Sequence, residues 1–137
     1  MPYKVILADD HKVMRQGLKG LLEKIPGLTV IAEADNGSQA LKQALKHNPD
    51  LMVVDVAMPE LNGLEATKRI LRDCPNTKVV ALSMQTDRQL VLGMLKAGAS
   101  AYVLKDCGFD ELDEAIGQVM RGGTYLSPKV ADIVVGQ

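Results

Sequence analysis

The chain has 137 residues, 47% of them hydrophobic and 24% charged, enough for one globular domain whose core needs no disulfide or metal staple. Its 17 acidic and 16 basic residues nearly cancel, so no overall field draws it to nucleic acid or a membrane, and any DNA contact needs another segment. The low aromatic content disfavours a base-stacking platform, no apolar stretch approaches the ~18 residues of a membrane helix, and the acidic N-terminal stretch is not a signal peptide. Cys74 and Cys107 form no C-x-x-C pair and read as reduced cytosolic thiols.

The first apolar run, Tyr3 to Ala8, reads as a strand and ends in Asp9-Asp10. Val13, Met14, Leu18, Leu21 and Leu22 then recur at helical spacing up to Pro26-Gly27. Leu28 to Ala34 reads as a second strand. Asn36-Gly37-Ser38 turns the chain into a helix with Ala40, Leu41, Ala44 and Leu45 on one face, ending before Asn48-Pro49. A third strand covers Leu51 to Asp55, and the loop Met58 to Gly63 leads to a helix marked by Leu64, Ala66, Thr67, Ile70 and Leu71. The fourth unit is a strand from Lys78 to Ser83 and a helix from about Arg88 to Lys96, stopping at Gly98. The fifth is a strand from Ala101 to Leu104 and a helix from Phe109 to about Arg121, closed by Gly122-Gly123.

Five β-α units in succession predict a doubly wound α/β fold with a five-stranded parallel sheet and helices on both faces. Right-handed crossovers leave few arrangements, of which the order 2-1-3-4-5 is the common one at this size. Strands one and three then lie side by side where the winding reverses, and open α/β sheets bind ligands there. Four strands end in polar residues: Asp9-Asp10, Asp55, Ser83 and Lys105. One such ending is as well explained by loop solvation. Four that converge on one crevice are not.

Three carboxylates about 5 Å apart repel by roughly 3 kcal/mol per pair at an effective dielectric near 20. A compensating charge is required. Oxygen ligands favour a hard cation such as Mg²⁺, and Lys105 supplies a second positive charge, although a plain Lys-Asp ion pair would place it there too. A carboxylate is also a nucleophile already ionised at neutral pH, and Asp55 on the central strand is best placed to take a phosphoryl group. In-line phosphoryl transfer needs mostly positioning and charge neutralisation.

The residues Asp9-Asp10, Asp55-Val56-Ala57-Met58-Pro59, Asn62-Gly63, Ser83, Gly98-Ala99, Tyr102 and Lys105 resemble the receiver domain of two-component response regulators. The resemblance covers residues 4 to about 122 and implies the flavodoxin-like fold. Three further stretches resemble the subfamily whose receiver precedes a helix-turn-helix domain of the NarL/FixJ/LuxR type. They are Ala8-Asp9-Asp10-His11, Gly98 to Asp106, and Gly122-Gly123-Thr124-Tyr125-Leu126-Ser127-Pro128.

The resemblance implies that Asp55 is the phosphoacceptor, served by a sensor histidine kinase. It implies Mg²⁺, or Mn²⁺ in its place, held by the Asp10 and Asp55 side chains and the Ala57 carbonyl, with Asp9 acting through a water. Lys105 and Ser83 would contact the phosphoryl group. Ser83 and Tyr102 would form the switch pair, with Tyr102 rotating inward as Ser83 moves to the phosphoryl group, although Tyr102 would serve equally as a rim residue. The surface of the fourth helix, fifth strand and fifth helix would change, a homodimer would form on phosphorylation, and DNA would be bound only through an attached C-terminal domain. Ala57 and Gln85 would tune phosphoryl lifetime. His11 reads as a helix-start residue before it reads as a metal ligand.

One departure from the commonest pattern stands out. Many receivers carry a cis-linked Pro after the Lys, and here Asp106 follows Lys105, which predicts a trans bond or a strained loop. Residues 1–123 are expected to form the receiver, and residues 124–137, with Val130, Ile133, Val134 and Val135, a linker toward a helix-turn-helix domain absent from this chain, or a short helix docked on the receiver.

Other functions fit less well. A phosphatase or phosphotransferase turning over a separate substrate would add a general acid/base near the nucleophile, where this chain has Ala57. A flavin phosphate would be repelled by Asp9-Asp10. A degenerate receiver serving only to dimerise would not retain every site residue. The expectation is a cytoplasmic signalling switch, not a turnover enzyme.

Overall fold

The computed structural model describes residues 3–136. Six strands and six helices alternate: β1 (Tyr3–Ala8), α1 (Lys12–Glu23), β2 (Leu28–Ala34), α2 (Gly37–His47), β3 (Leu51–Asp55), α3 (Gly63–Asp73), β4 (Lys78–Ser83), α4 (Arg88–Lys96), β5 (Ala101–Leu104), α5 (Phe109–Met120), β6 (Tyr125–Leu126) and α6 (Pro128–Val135). The strands form one parallel sheet in the order β2-β1-β3-β4-β5-β6. The doubly wound order holds, with one correction. The sheet has six strands, because Tyr125 and Leu126 pair in parallel with Ala101 and Tyr102. Two residues are too few to carry a period-two signal, and the preceding Gly122-Gly123 reads as a stop.

Alternate residues of each central strand feed opposite halves of the core. Val5, Leu7, Leu51 and Val53 pack with Leu18 and Leu22 of α1 and Leu112, Ile116 and Val119 of α5. Ile6, Ala8, Met52 and Val54 pack with Ala40 and Ala44 of α2, Ile70 of α3, Met94 of α4 and Val130 of α6. Burial on both faces is why these strands are apolar throughout. Truncating one such side chain, Leu22→Ala for example, removes about 3 kcal/mol.

Helix starts follow local chemistry. Asn36 accepts the Gln39 N–H at 2.8 Å, Asn62 accepts that of Glu65 at 2.9 Å, and Asp87 accepts that of Gln89 at 2.8 Å. α2 ends at Asn48, whose φ of 47° is left-handed, and Pro49 follows. Two helices differ from the sequence reading. Val13 and Met14 of α1 and Leu45 of α2 are exposed, not core. In α1 the sheet-facing stripe is Leu18 and Leu22, while Val13, Met14 and Leu21 line an open groove with Gly17, Met84 and Cys107.

The segment after α5 is docked on the domain. β6 extends the sheet, and Val130 of α6 is fully buried in the α4 half of the core. No described helix is long and apolar enough to cross a membrane.

Candidate functional site

The parallel register brings the C-terminal ends of β1, β3, β4 and β5 together. Ala8 lies beside Val54, Asp55 beside Leu82 and Ser83 beside Leu104. The polar residue that follows or ends each strand therefore emerges at the same level.

Asp55 and Asp9 are buried, and the Lys105 ammonium lies 3.0 Å from Asp55 Oδ2 and 3.0 Å from Asp9 Oδ2. The remaining Asp55 oxygen accepts the Ala57 N–H at 3.1 Å. Burial pushes the Asp55 carboxyl above its ordinary pKa, against the pull of the Lys105 hydrogen bond and charge and of the Ala57 N–H, and the Asp9 charge raises it further. Burial alone would lower Lys105, but hydrogen bonds to Asp9 and Asp55 and their charges more than offset it, so its pKa is raised.

Asp9 is hydrogen-bonded at its backbone and at one carboxylate oxygen, while Oδ2 has only the Lys105 ammonium beside it. Its N–H donates to the Ala34 carbonyl at 3.0 Å, its Oδ1 accepts the His11 N–H at 2.8 Å, and its own carbonyl accepts Arg15 Nη1 at 2.6 Å. The Asp10 side chain is partly exposed. His11 occupies the N-cap position of α1 without a side-chain capping hydrogen bond, in line with its helix-start reading, and its Nδ1 lies 3.3 Å from Asp10 Oδ1. One ligand atom from each of Asp9, Asp10, His11 and Asp55 can be chosen so that all lie within 4.8 Å of one another. Hard carboxylate oxygens so grouped fit a hard divalent cation.

Ser83 and Tyr102 meet through one backbone residue. The Ser83 hydroxyl oxygen accepts the Gln85 N–H at 2.9 Å, and the Tyr102 hydroxyl donates to the Gln85 carbonyl at 2.9 Å. The Tyr102 ring is fully buried, so it is a core residue and not a rim residue. The loop after Lys105 is closed by Cys107 N–H to the Leu104 carbonyl at 3.0 Å, and all described peptide bonds are trans, as the Asp106 substitution predicted.

Glycine permits the β3–α3 loop its close packing. A Cβ on Gly63 would sit 2.6 Å from the Asp55 carbonyl oxygen, and one on Gly37 would overlap the Leu61 backbone. Sequence reasoning missed Arg15 and Glu111, and it quoted Gly37 only as a turn residue and Ser127 only within a subfamily motif; all four reach the site or its strands through tertiary contacts. For Arg15 a faint signal exists: a cation one helical turn after Asp9-Asp10-His11.

Residues 5–117 match the family of response regulator receiver domains. The chain is 41% identical over 128 residues to the response regulator GacA of Pseudomonas syringae pv. syringae, covering 93% of this chain and 60% of that protein. It is 39% identical over 127 residues to the transcriptional regulatory protein DegU of Brevibacillus brevis, covering 93% of this chain and 54% of that protein. The chain thus spans little more than half the length of these relatives. A solved two-component response regulator of the LuxR family from Aurantimonas sp. SI85-9A1 superposes with a TM-score of 0.94 at 31% identity, over 99% of this chain and 97% of that one. The chain belongs to the response regulator receiver domains of two-component systems, in their NarL/LuxR-type branch.

Proposed function

We propose that this receiver accepts a phosphoryl group on Asp55 from a sensor histidine kinase in a Mg²⁺-dependent reaction and passes the change to an attached output domain. The observation that carries this is the buried Asp55 carboxylate, sharing one ammonium with Asp9 beside the partly exposed carboxylate of Asp10. In the transfer, an Asp55 oxygen forms the new P–O bond as the P–N bond to the donor histidine breaks. Lys105 stays beside the same oxygens and neutralises charge that moves onto the phosphoryl group. Asp10, Asp55 and the Ala57 carbonyl would hold the metal. Asp9 already engages His11 and Lys105, which favours its acting through a water. When bound, Mg²⁺ supplies charge neutralisation at the carboxylates and the phosphoryl oxygens.

Ser83 would leave the Gln85 N–H to donate to the phosphoryl group, and Tyr102 would sense the change through the Gln85 carbonyl. The readout would be a shift of the residue 83–87 loop, to which Tyr102 is hydrogen-bonded, and of the α4-β5-α5 surface. This is a local charge event biasing a two-state element. Residues 1–123 would be the switch, and 124–137 the lead to a helix-turn-helix domain that binds DNA, with a homodimer formed on phosphorylation. The setting would be cytoplasmic, with no separate substrate turned over.

Intact mass after incubation with Mg²⁺ and acetyl phosphate should show one added phosphoryl group on the wild type and none on Asp55→Asn. An unlabelled wild type would overturn the proposal.

A further inference from the structure

We propose that Arg15 is a positioning residue for the acidic cluster, fixing the Asp9–Asp10 peptide so that Asp10 faces Asp55. The inference rests on the metal-binding role proposed above.

Arg15 lies in the first turn of α1, and only 15% of its side chain is exposed. Its two ends of the guanidinium do different work. Nε donates to Glu33 Oε1 on β2 at 2.9 Å, and Nη1 donates to the Asp9 carbonyl at 2.6 Å. Lys19 holds the other Glu33 oxygen at 3.5 Å, which restrains the carboxylate that orients the guanidinium. A planar fork spans two acceptors in a way a lysine cannot.

The bonded carbonyl belongs to the peptide that joins Asp9 to Asp10. The N–H of Asp9 is already fixed on Ala34. With the carbonyl fixed as well, the plane leading to the Asp10 Cα has little freedom, and the Asp10 carboxylate is aimed before any ligand arrives. The Asp10 side chain is 28% exposed and its Oδ1 lies 3.3 Å from His11 Nδ1, so the backbone plane and this one neighbour set its direction. Such outer partners of a metal ligand commonly matter about tenfold or more in affinity.

Charge and positioning predict opposite signs. Removing a cation beside a cluster of carboxylates strengthens the attraction of that cluster for a dication. Losing the positioning weakens it. Calorimetric titration with Mg²⁺ should therefore give Arg15→Met a dissociation constant about tenfold above wild type. Arg15→Lys should weaken binding too, although the charge is kept, and Glu33→Gln should shift it less in the same direction. A second readout needs no metal. The His11 N–H, which donates to Asp9 Oδ1, should exchange faster with solvent in Arg15→Met, while amides of α5 keep their wild-type protection.

Unchanged or tighter Mg²⁺ binding in Arg15→Met, with unchanged His11 exchange, overturns the proposal. If Arg15→Met does not fold, Glu33→Gln decides it by the same two measurements. If the wild type binds no Mg²⁺, the metal-binding role falls, and His11 exchange alone decides whether Arg15 orders this turn.

Discussion

The Ser127 hydroxyl donates to Glu111 Oε2 at 2.7 Å, joining the segment after α5 back to the first turn of α5. The same hydroxyl oxygen accepts the Leu104 N–H at 3.1 Å, and the Ser127 N–H donates to the Tyr102 carbonyl at 3.1 Å. One buried serine thus touches two residues of β5 and one of α5. Ser127→Ala should cost about 1–2 kcal/mol in urea unfolding, because the Leu104 N–H and Glu111 each lose a partner. Amides of α6 should exchange faster in the variant. Unchanged stability and exchange would show that this contact holds nothing.

Tyr125 shares the Glu111 oxygen, donating its hydroxyl at 3.1 Å. Burial, and then the hydrogen bond and charge of Glu111, push its phenol up to about 12. A group raised on folding adds stability that is fully present below its unfolded value of 10.0 and is lost as pH rises through its folded one. The β6–α6 attachment should therefore hold through neutral pH and loosen only in strong alkali. Ultraviolet titration of tyrosinate checks this: Glu111→Gln should lower the late transition, and Tyr125→Phe should take out its share of the amplitude, leaving that of Tyr102, which burial also raises.

Two glycine-to-alanine changes should act in opposite directions. Gly20 is exposed inside α1 with nothing near its missing Cβ, so Gly20→Ala should stabilise by about 0.5–1 kcal/mol. At Gly37 the added carbon meets the Leu61 backbone, so Gly37→Ala should cost about 2 kcal/mol or more and displace the loop bearing Ala57. Thermal unfolding of the pair, at equal concentration, reads both signs.

Lys105→Met leaves Asp9 and Asp55 facing each other without their shared cation. At neutral pH it should cost about 3 kcal/mol, because Asp9 and Asp55 are left buried without a cation. The Lys105 pKa is raised, so its contribution is fully present below the ordinary lysine value of 10.5 and disappears as pH rises through the folded one. On the acid side the gap should close as well, since protonating the carboxylates removes their repulsion. Urea midpoints of both proteins across pH test this, and a gap independent of pH would contradict it.

What could be read from the sequence was whatever local chemistry decides. β3 and β5 are short apolar runs with clear stops, and their observed limits, Leu51–Asp55 and Ala101–Leu104, follow. Asp55 and Lys105 were legible because each sits at such a stop. The exposure of Val13 and Met14 was not, because helical spacing shows that a stripe exists without saying which part of it the sheet covers. Nor was the role of Ser127, 23 residues from Leu104 in sequence. A two-residue strand has no periodicity to detect.

That small strand has a consequence for β5. Without it, the Ser100 and Tyr102 carbonyls and the Leu104 N–H would face outward in a row, their present partners being Tyr125 and Ser127. Such a row is a template on which another chain can add a strand. A version of this domain cut after Gly123 would retain every residue of the acidic crevice and still be a stickier protein. The residues that cover this edge of β5 lie beyond the point where the β-α repeat stops.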